Sequence, residues 1–226
     1  MLKKLGKYDA MLKDICLIEG VGLSSNIYTI GRNSITLIDT GNGEAVNKIT
    51  PKFEALELDP SNITQVVITH SHYDHIGGLR ELLSITKPKI MVHIEDSNPI
   101  EEEVKQKVTK LKDADIVNAE NCQLKVISTP GHSHGSICLY NPDRKLLFSG
   151  DTVFAEGGFG RTDLETGDSR KMVESLERLA ELDVNILLPG HDKIILENAS
   201  KWIRQSFEEA KTCLLYTSPS PRDRTR

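Results

Sequence analysis

The chain has 226 residues, of which 38% are apolar and 27% are charged, a composition typical of a globular protein rather than a disordered one. No stretch approaches the ~18 consecutive apolar residues that a membrane-spanning helix requires, which argues against a membrane protein. Its 28 basic and 33 acidic residues give a net charge of −5, so the chain lacks the positive surplus that drives nucleic-acid binding.

Two further features bear on the cellular compartment. The N-terminal residues include lysines but no apolar segment after them, which argues against a secretory signal. The four cysteines, at positions 16, 122, 138 and 213, form no CxxC pair and are too few for a disulfide scaffold of this size. We therefore expect a cytoplasmic protein that has neither a membrane nor a nucleic acid as its partner.

Short β-branched segments alternate with amphipathic segments along the chain. The predicted strands, in chain order, are Asp14–Glu19, Asn26–Gly31, Ser34–Asp39, Gln65–Thr69, Lys89–His93, Gln123–Ser128, Ser136–Tyr140, Lys145–Phe148 and Val184–Leu188. The predicted helices are Glu44–Leu58 with a kink or break at Pro51, Ile76–Leu83, Ser169–Leu182 capped by Asp168, and Ala199–Lys211. The charged segment Pro99–Lys112 is predicted to form a surface helix or a lid. Early hairpins followed by strand–helix alternation favour two sheets with helices outside them.

The last residues, Cys213–Arg226, abandon the helical pattern and carry three arginines against one aspartate. This segment resembles the translation of a transposase sequencing adapter, so we expect a non-native tail. The alternative is a natural disordered tail rich in proline and serine. We therefore expect one domain over residues 1–212, with its native C-terminus undetermined.

Histidines are concentrated in segments that directly follow predicted strands. Three lie within residues 69–75, two within residues 130–135, and one at position 191, while Asp151 follows another strand. Loops at strand ends are where open sheets present functional side chains. In an extended segment His70, His72 and Asp74 would face the same side, and His75 would join them only if the chain turned, for which Gly77 and Gly78 offer a place.

The residue types in these loops are those that hold metal ions. Imidazole and carboxylate groups together suit Zn²⁺. Two metals ~3.5–4 Å apart need about seven protein ligands, one of them shared. A lone histidine after a strand is usually a polar loop residue, and His93 is interpreted in that way. The whole set favours a metal centre, and its seven candidate ligands are His70, His72, Asp74, His75, His132, Asp151 and His191.

The pattern His-x-His-x-Asp-His, followed by a later His, Asp and His, resembles the metallo-β-lactamase-fold hydrolase superfamily from about Ile15 to His191. The resemblance implies an α/β (α+β) fold, a four-layer αββα sandwich with a dinuclear site in the cleft between the sheets. Two divalent ions are implied, with zinc as first choice and iron or manganese as alternatives. The implied ligands are His70, His72 and His132 for one metal, Asp74, His75 and His191 for the other, and Asp151 as the bridge.

Three segments, residues 129–137, 149–154 and 160–163, are similar to the glyoxalase II-like (hydroxyacylglutathione hydrolase-like) branch. β-Lactamases of the commonest dizinc type carry cysteine where this chain has Asp151, so antibiotic hydrolysis is not expected. Glyoxalase II has a further helical domain with glutathione-binding residues after the last ligand. Few residues follow His191 here, so the resemblance leaves glutathione recognition open.

Several residues beside the ligands are candidates for other roles. Tyr73 and His134 adjoin ligands and are candidate substrate contacts or supports of the ligands. Arg161 could bind an anionic end of the substrate, or form an internal ion pair with Asp163 or Asp168. Asp39 ends a strand beside the expected site, where the family uses such an aspartate as a buttress and where a turn cap is the alternative.

The resemblance implies a metal-dependent hydrolase of small thioester or ester substrates, like hydroxyacyl-thioester hydrolases, that uses a metal-bound hydroxide. In that mechanism Asp74 orients the nucleophile and Asp151 sets the metal separation. The main alternative is a persulfide dioxygenase of the same fold, with one Fe²⁺ held by His70, His132 and Asp151. The acidic composition argues against a nuclease, and the complete ligand set argues against a non-enzymatic metal-binding module. The acyl group, the thiol carrier and the oligomeric state are not specified by the sequence.

Overall fold

The computed structural model describes residues 1–215, so residues 216–226 of the predicted non-native tail lie outside the described part of the chain. Seven strands come first: β1 (Leu2–Lys4), β2 (Ile15–Ile18), β3 (Ile27–Ile30), β4 (Ile35–Ile38), β5 (Ile63–Ile68), β6 (Lys89–His93) and β7 (Thr109–Leu111). Five follow them: β8 (Ile116–Ala119), β9 (Cys122–Ser128), β10 (Ile137–Asn141), β11 (Leu146–Gly150) and β12 (Ile186–Pro189).

Helices lie between the parallel strands and after the last ones. They are α1 (Ile49–Leu56), α2 (Tyr73–Ile76), α3 (Leu79–Ile85), α4 (Ser97–Val104), α5 (Ser169–Ala180) and α6 (Ala199–Ala210). The Asp168 carboxylate accepts bonds from the amides of Arg170 and Lys171, as the predicted cap of α5 requires. None of the helices in residues 1–215 has the length and apolar character needed to cross a membrane.

The strands form two sheets, each divided into an antiparallel and a parallel part. The larger sheet has the order β1-β2-β3-β4-β5-β6-β7, antiparallel from β1 to β4 and parallel from β4 to β7. The smaller sheet has the order β12-β11-β10-β9-β8, in which only β11 and β12 are parallel. The C-terminal ends of the parallel strands β5, β11 and β12 lead directly into the histidine- and aspartate-containing loops.

Alternation along the strands divides the apolar residues among three buried layers. In β2, Ile15 and Leu17 join the core between the two sheets, whereas Cys16 and Ile18 join the core under α1, α3 and α4. A third core lies between the smaller sheet and helices α5 and α6. The predicted four-layer αββα sandwich is therefore confirmed.

The predicted kink or break at Pro51 does not occur. The predicted helix Glu44–Leu58 divides at Lys48 into a short 3₁₀ turn and α1, and Pro51 lies in the first turn of α1. Proline is tolerated there because the first amides of a helix have no partner within it. The predicted helix Ile76–Leu83 is similarly divided at Gly77 and Gly78, where a Cβ on Gly78 would lie 2.1 Å from the Thr40 carbonyl oxygen.

The prediction of a surface helix or a lid over Pro99–Lys112 agrees with the structure as far as Val104, where α4 ends, and is wrong for the rest of the segment. Helix α4 ends where Lys105 adopts a left-handed conformation with φ +55°, and the chain then forms strand β7 beside β6. Strands β1, β7 and β8 have no counterpart among the predicted strands. They are short strands at sheet edges whose side chains are partly exposed, so they lack the apolar alternation by which strands are recognised.

Phe148 tests how much stability the core between the sheets provides. Its ring packs edge-on against Tyr28 of the opposite sheet, with ring centroids 5.3 Å apart, and both side chains are fully buried. Phe148→Ala should lower the free energy of unfolding by about 3–5 kcal/mol in chemical denaturation. Tyr28→Phe removes only the hydroxyl bond to the Pro189 carbonyl, 2.7 Å long, and should cost about 1 kcal/mol. Equal effects of the two substitutions would contradict this account of the core.

Candidate metal centre

The four candidate ligands that follow β5 lie in two kinds of backbone conformation. His70 and His72 lie in extended chain, with His72 as the residue before α2, whereas Asp74 and His75 lie in the first turn of α2. The expectation that Asp74 shares one extended face with His70 and His72 is therefore wrong, because the helix begins before Asp74. Because of this turn, His70 and His72 belong to one group of candidate ligands, and Asp74 and His75 belong to a second group.

The first group consists of His70, His72 and His132, with one ring nitrogen of each within 4.8 Å of the others. The Nδ1 atom of His72 lies 2.9 Å from Nε2 of His132. His132 comes from the loop between β9 and β10, so this group joins the two sheets across the cleft. His70 is fully buried, and its Nε2 atom has no hydrogen-bond partner.

The second group consists of Asp74, His75, Asp151 and His191, whose ligand atoms also lie within 4.8 Å of one another. Nε2 of His191 lies 3.0 Å from Oδ2 of Asp74, and Nε2 of His75 lies 3.8 Å from the same oxygen. Gly190 makes this close packing possible, since a Cβ there would lie 2.2 Å from Oδ1 of Asp151.

Asp151 faces both groups. Its Oδ1 atom lies 3.3 Å from Nε2 of His75, and its Oδ2 atom lies 3.5 Å both from Nε2 of His191 and from Nε2 of His132. Its carboxylate is almost fully buried between imidazole rings of the two sets. The position is that of a group able to contact two ions at once.

The ring nitrogens that face away from the centre have partners that fix the rings. Nδ1 of His132 donates to the Arg161 carbonyl at 2.8 Å, and Nε2 of His72 lies 3.3 Å from the Thr166 hydroxyl. Nδ1 of His75 lies 2.8 Å from Oδ2 of Asp39. Such outer partners orient each ring and, when the ring is neutral, set the tautomer that leaves an electron pair on the inward nitrogen.

The two groups differ in protonation. Burial lowers the pKa of His70 well below its ordinary value, and burial with the neighbouring His132 ring lowers the pKa of His72. Burial opposes charge on His75 as well, but Asp151 and Asp39 outweigh it and raise the pKa of His75 well above the ordinary value. Burial would raise the pKa of Asp151, but the nearby His75 charge lowers it. Charge is therefore disfavoured on His70 and His72, whereas His75 and Asp151 each favour the charged form of the other.

The unpartnered atoms provide the test of whether metal ions fit. Among the buried side-chain atoms of residues 1–215 that lack a hydrogen-bond partner are Nε2 of His70, Nε2 of His75 and Oδ1 of Asp151. Leaving a buried polar atom unpaired costs about 1–3 kcal/mol, so unpaired atoms directed at one place need an explanation. Divalent cations, one in each group, would satisfy these atoms, because imidazole nitrogens and carboxylate oxygens are their ordinary ligands. The donor set therefore fits two such ions.

Asp39 supports the second group through its contact with His75. Its two oxygens accept bonds from the Thr69 amide, the Thr69 hydroxyl and Nδ1 of His75, each at 2.8 Å. Asp39 itself has a left-handed backbone with φ +60°, which aspartate adopts more readily than most residues. Of the two interpretations of Asp39, the buttress agrees with these contacts better than the turn cap.

Asp96 supports the first group and is not among the residues predicted from the sequence. Its buried carboxylate accepts bonds from the Ser71 amide at 2.8 Å, the Ser133 hydroxyl at 2.8 Å and the Gly135 amide at 2.7 Å. It therefore ties the loop of His70 and His72 to the loop of His132. A Cβ on Gly135 would lie 2.6 Å from Oδ1 of Asp96, so the glycine permits this approach.

The structure places the three candidate substrate contacts differently. Tyr73 is exposed and lines the cleft above the ligands. Arg161 also lines the cleft, but its guanidinium forms two 2.8 Å bonds with the Asp163 carboxylate, as in the ion-pair alternative. His134 is exposed outside the set of cleft-lining side chains, and His93 bonds to the Ser128 hydroxyl at 3.0 Å.

Comparison with known proteins agrees with the fold and the motif. Residues 20–191 match the family model described as Metallo-beta-lactamase superfamily. A hydroxyacylglutathione hydrolase of Pseudomonas savastanoi pv. phaseolicola is 38% identical over 133 residues, which are 58% of this chain and 48% of that protein. The chain spans about half the length of several curated relatives that it matches. The predicted resemblance to the glyoxalase II-like branch is confirmed.

Two solved structures show the same fold at low sequence identity. A metallo-beta-lactamase family protein from Thermus thermophilus has a TM-score of 0.74 at 20% identity, over 88% of this chain and 78% of that one. ETHE1 from Myxococcus xanthus has a TM-score of 0.68 at 23% identity, over 91% and 92% of the two chains. At these identities the likeness shows the fold alone.

Asp96→Asn tests whether the buried carboxylate positions the first group. An amide can keep one acceptor, but its NH₂ cannot accept from the Ser71 amide, so one connection between the ligand loops is lost. Loss of such an outer partner typically weakens metal binding 10–100-fold. We expect a decrease of that size for one of two ions, measured by chelator competition.

Glu81→Gln is the matched control for Asp96→Asn. Glu81, a residue of α3, also accepts bonds from two backbone amides and a hydroxyl, but its partners Ile49 and Thr50 lie at the start of α1, away from the candidate metal ligands. Both variants should lose some thermal stability, and only Asp96→Asn should lose metal affinity. Equal metal affinity in the two variants would contradict the positioning role.

Proposed function

The chain belongs to the metallo-β-lactamase superfamily, and we propose that it is a metal-dependent hydrolase of small thioester or ester substrates. The observation that carries the proposal is the convergence of unpaired buried ligand atoms from two groups on either side of Asp151. Curated relatives named hydroxyacylglutathione hydrolase support the thioester interpretation.

The proposed ligands are the seven residues predicted from the sequence. Bound divalent ions lower the pKa of water from 15.7 to ~7 and polarise a carbonyl oxygen, which are the requirements of acyl hydrolysis at neutral pH. The proposed ligand set is His70, His72 and His132 for one ion, Asp74, His75 and His191 for the other, and Asp151 for both. Zinc is the ion that we propose first, with iron and manganese as alternatives.

Asp74 is proposed to orient the attacking water. Its carboxylate is half-buried and lines the cleft, so one face is open to solvent while Oδ2 is held by Nε2 of His191 at 3.0 Å. The bond to His191 lowers the pKa of Asp74 against the opposing effect of burial. Asp74 therefore remains ionised at neutral pH and can accept a hydrogen bond from water beside the scissile carbonyl.

The leaving group favours thioesters over oxygen esters. A thiol has a pKa near ~8.5, so a thiolate departs at neutral pH without receiving a proton in the transition state. An alkoxide is far more basic and needs a general acid. Histidines of the centre are proposed as ligands rather than as proton donors, so thioesters should be the faster substrates.

Asp151→Asn is the main test of the proposed centre. The amide keeps the shape but loses the negative charge and one anionic oxygen, which leaves two nearby dications less well neutralised. Metal content should fall from about two per chain towards one or fewer. Hydrolysis of a thioester panel, followed by released thiol, should fall by orders of magnitude. Elemental analysis and thiol release are the two measurements.

Asp168→Asn is the matched control, since asparagine caps a helix about as well as aspartate and Asp168 caps α5. It should keep both metal content and activity. Full activity with two metals in Asp151→Asn would contradict the bridging role. One iron per chain, with oxygen consumption on a persulfide, would overturn the hydrolase proposal in favour of the dioxygenase that uses His70, His132 and Asp151.

A further inference from the structure

The cleft above the centre is lined by apolar side chains that are exposed to solvent. Its volume is about 450 Å³, within the ~300–1,000 Å³ typical of small-molecule sites. Leu23, Tyr73 and Leu164 line it and are 85%, 67% and 36% exposed. Leu23 and Leu164 come from two separate loops and Tyr73 from the start of α2, so the chain brings apolar surface to this one place from distant positions. Clustered exposed apolar residues beside a polar centre indicate a binding surface.

The loop that carries Leu23 is held in place although its side chain is exposed. The Asn47 side chain bonds to both the amide and the carbonyl of Val21, at 3.1 and 3.0 Å. On the other side of Leu23, the Ser24 hydroxyl accepts a bond from the Asn42 amide at 3.1 Å. The leucine is therefore presented by an anchored backbone.

Away from the proposed metal centre, the described side chains that line the cleft offer no unpaired lysine or arginine to a negatively charged substrate body. Among the described residues that line the cleft, Arg161 is the one lysine or arginine, and Asp163 already binds its guanidinium through two bonds. Glu44 also lines the cleft. An additional carboxylate in the cleft would meet a neutralised arginine and a like charge.

We propose that the cleft selects thioesters with a large apolar acyl group carried on an uncharged thiol. This inference rests on the proposed function, because the metal centre at the base of the cleft is the place of acyl transfer to water. Burial of an acyl chain against Leu23, Tyr73 and Leu164 removes apolar surface of both partners from water, which favours binding in proportion to the area buried. A glutathione thioester, with two carboxylates, is a poorer fit.

Acyl-chain dependence is the first test. Acetyl, butyryl, hexanoyl and octanoyl thioesters of N-acetylcysteamine share a neutral thiol and differ only in apolar area. With the metal-loaded protein, kcat/KM should rise about two- to fourfold per methylene while the chain still contacts the cleft. Hydroxyacyl-glutathione should be cleaved less efficiently than the octanoyl thioester. A flat series, with glutathione thioester preferred, would overturn the inference.

Substitutions test whether the acyl-chain preference arises from the residues that line the cleft. Leu23→Ser and Leu164→Ser should each lower the ratio of octanoyl to acetyl kcat/KM about three- to tenfold, as expected for loss of an apolar contact. Ile116→Ser is the matched control, because Ile116 is also an exposed aliphatic residue, 51% exposed, but lies on the edge strand β8. It should leave the ratio unchanged. An equal fall in all three variants would contradict the assignment of the cleft.

Binding without hydrolysis separates this inference from the proposed function. S-octyl-N-acetylcysteamine is an unreactive thioether, and calorimetry on the metal-loaded protein should show it binding at least tenfold tighter than the S-methyl compound, with a negative heat-capacity change. If this preference holds but no thioester is cleaved, the hydrolase proposal fails and the apolar site stands. If thioesters are cleaved but the two thioethers bind equally, the hydrolase proposal stands and the apolar site is refuted.

Discussion

The main physical constraint on the structure is that the candidate metal centre holds unpaired ligand atoms close together and buried. The inward atoms Nε2 of His70, Nε2 of His75 and Oδ1 of Asp151 are buried and have no hydrogen-bond partner. Such an arrangement is unfavourable by itself and persists only where the surrounding structure determines it. Here three buried apolar layers fix the two sheets, and the ligands project from strand ends whose positions those layers set.

Two buried carboxylates carry this constraint from the scaffold to the ligands. Asp39 lies at the end of β4 and holds His75 together with Thr69 at the end of β5. Asp96 lies beyond β6 and holds the loops on both sides of the first group. Each accepts three hydrogen bonds from candidate ligands or their near neighbours, which connects the ligand-bearing segments to one another. The role of both carboxylates is to position these segments, which explains how loops at strand ends can form a buried centre.

The sequence was sufficient for the layers and the ligand motif because both are local. Continuous apolar segments such as residues 66–68 and 186–188 identify the central strands, and four of the ligands lie within six positions of one another. Asp96 could not be recognised, because its three partners lie 25, 37 and 39 residues away along the chain. The edge strand β8 was missed for a different reason, which is a weak local pattern. It has one fully buried residue, Val117, and a single buried residue produces no periodic signal.

The same distinction explains why reaction class is easier to infer than substrate. The chemistry depends on residues that must follow strands in a fixed spacing, so a short motif indicates it. The apolar walls of the cleft come from Leu23 and Leu164 in two loops and from Tyr73 at the start of α2, positions that share no spacing and have no required residue type. Each is an exposed apolar residue of an ordinary kind when taken alone, since single apolar residues are common on protein surfaces. Only the fold brings them to one cleft, and only there does their joint exposure beside a polar centre acquire a physical meaning.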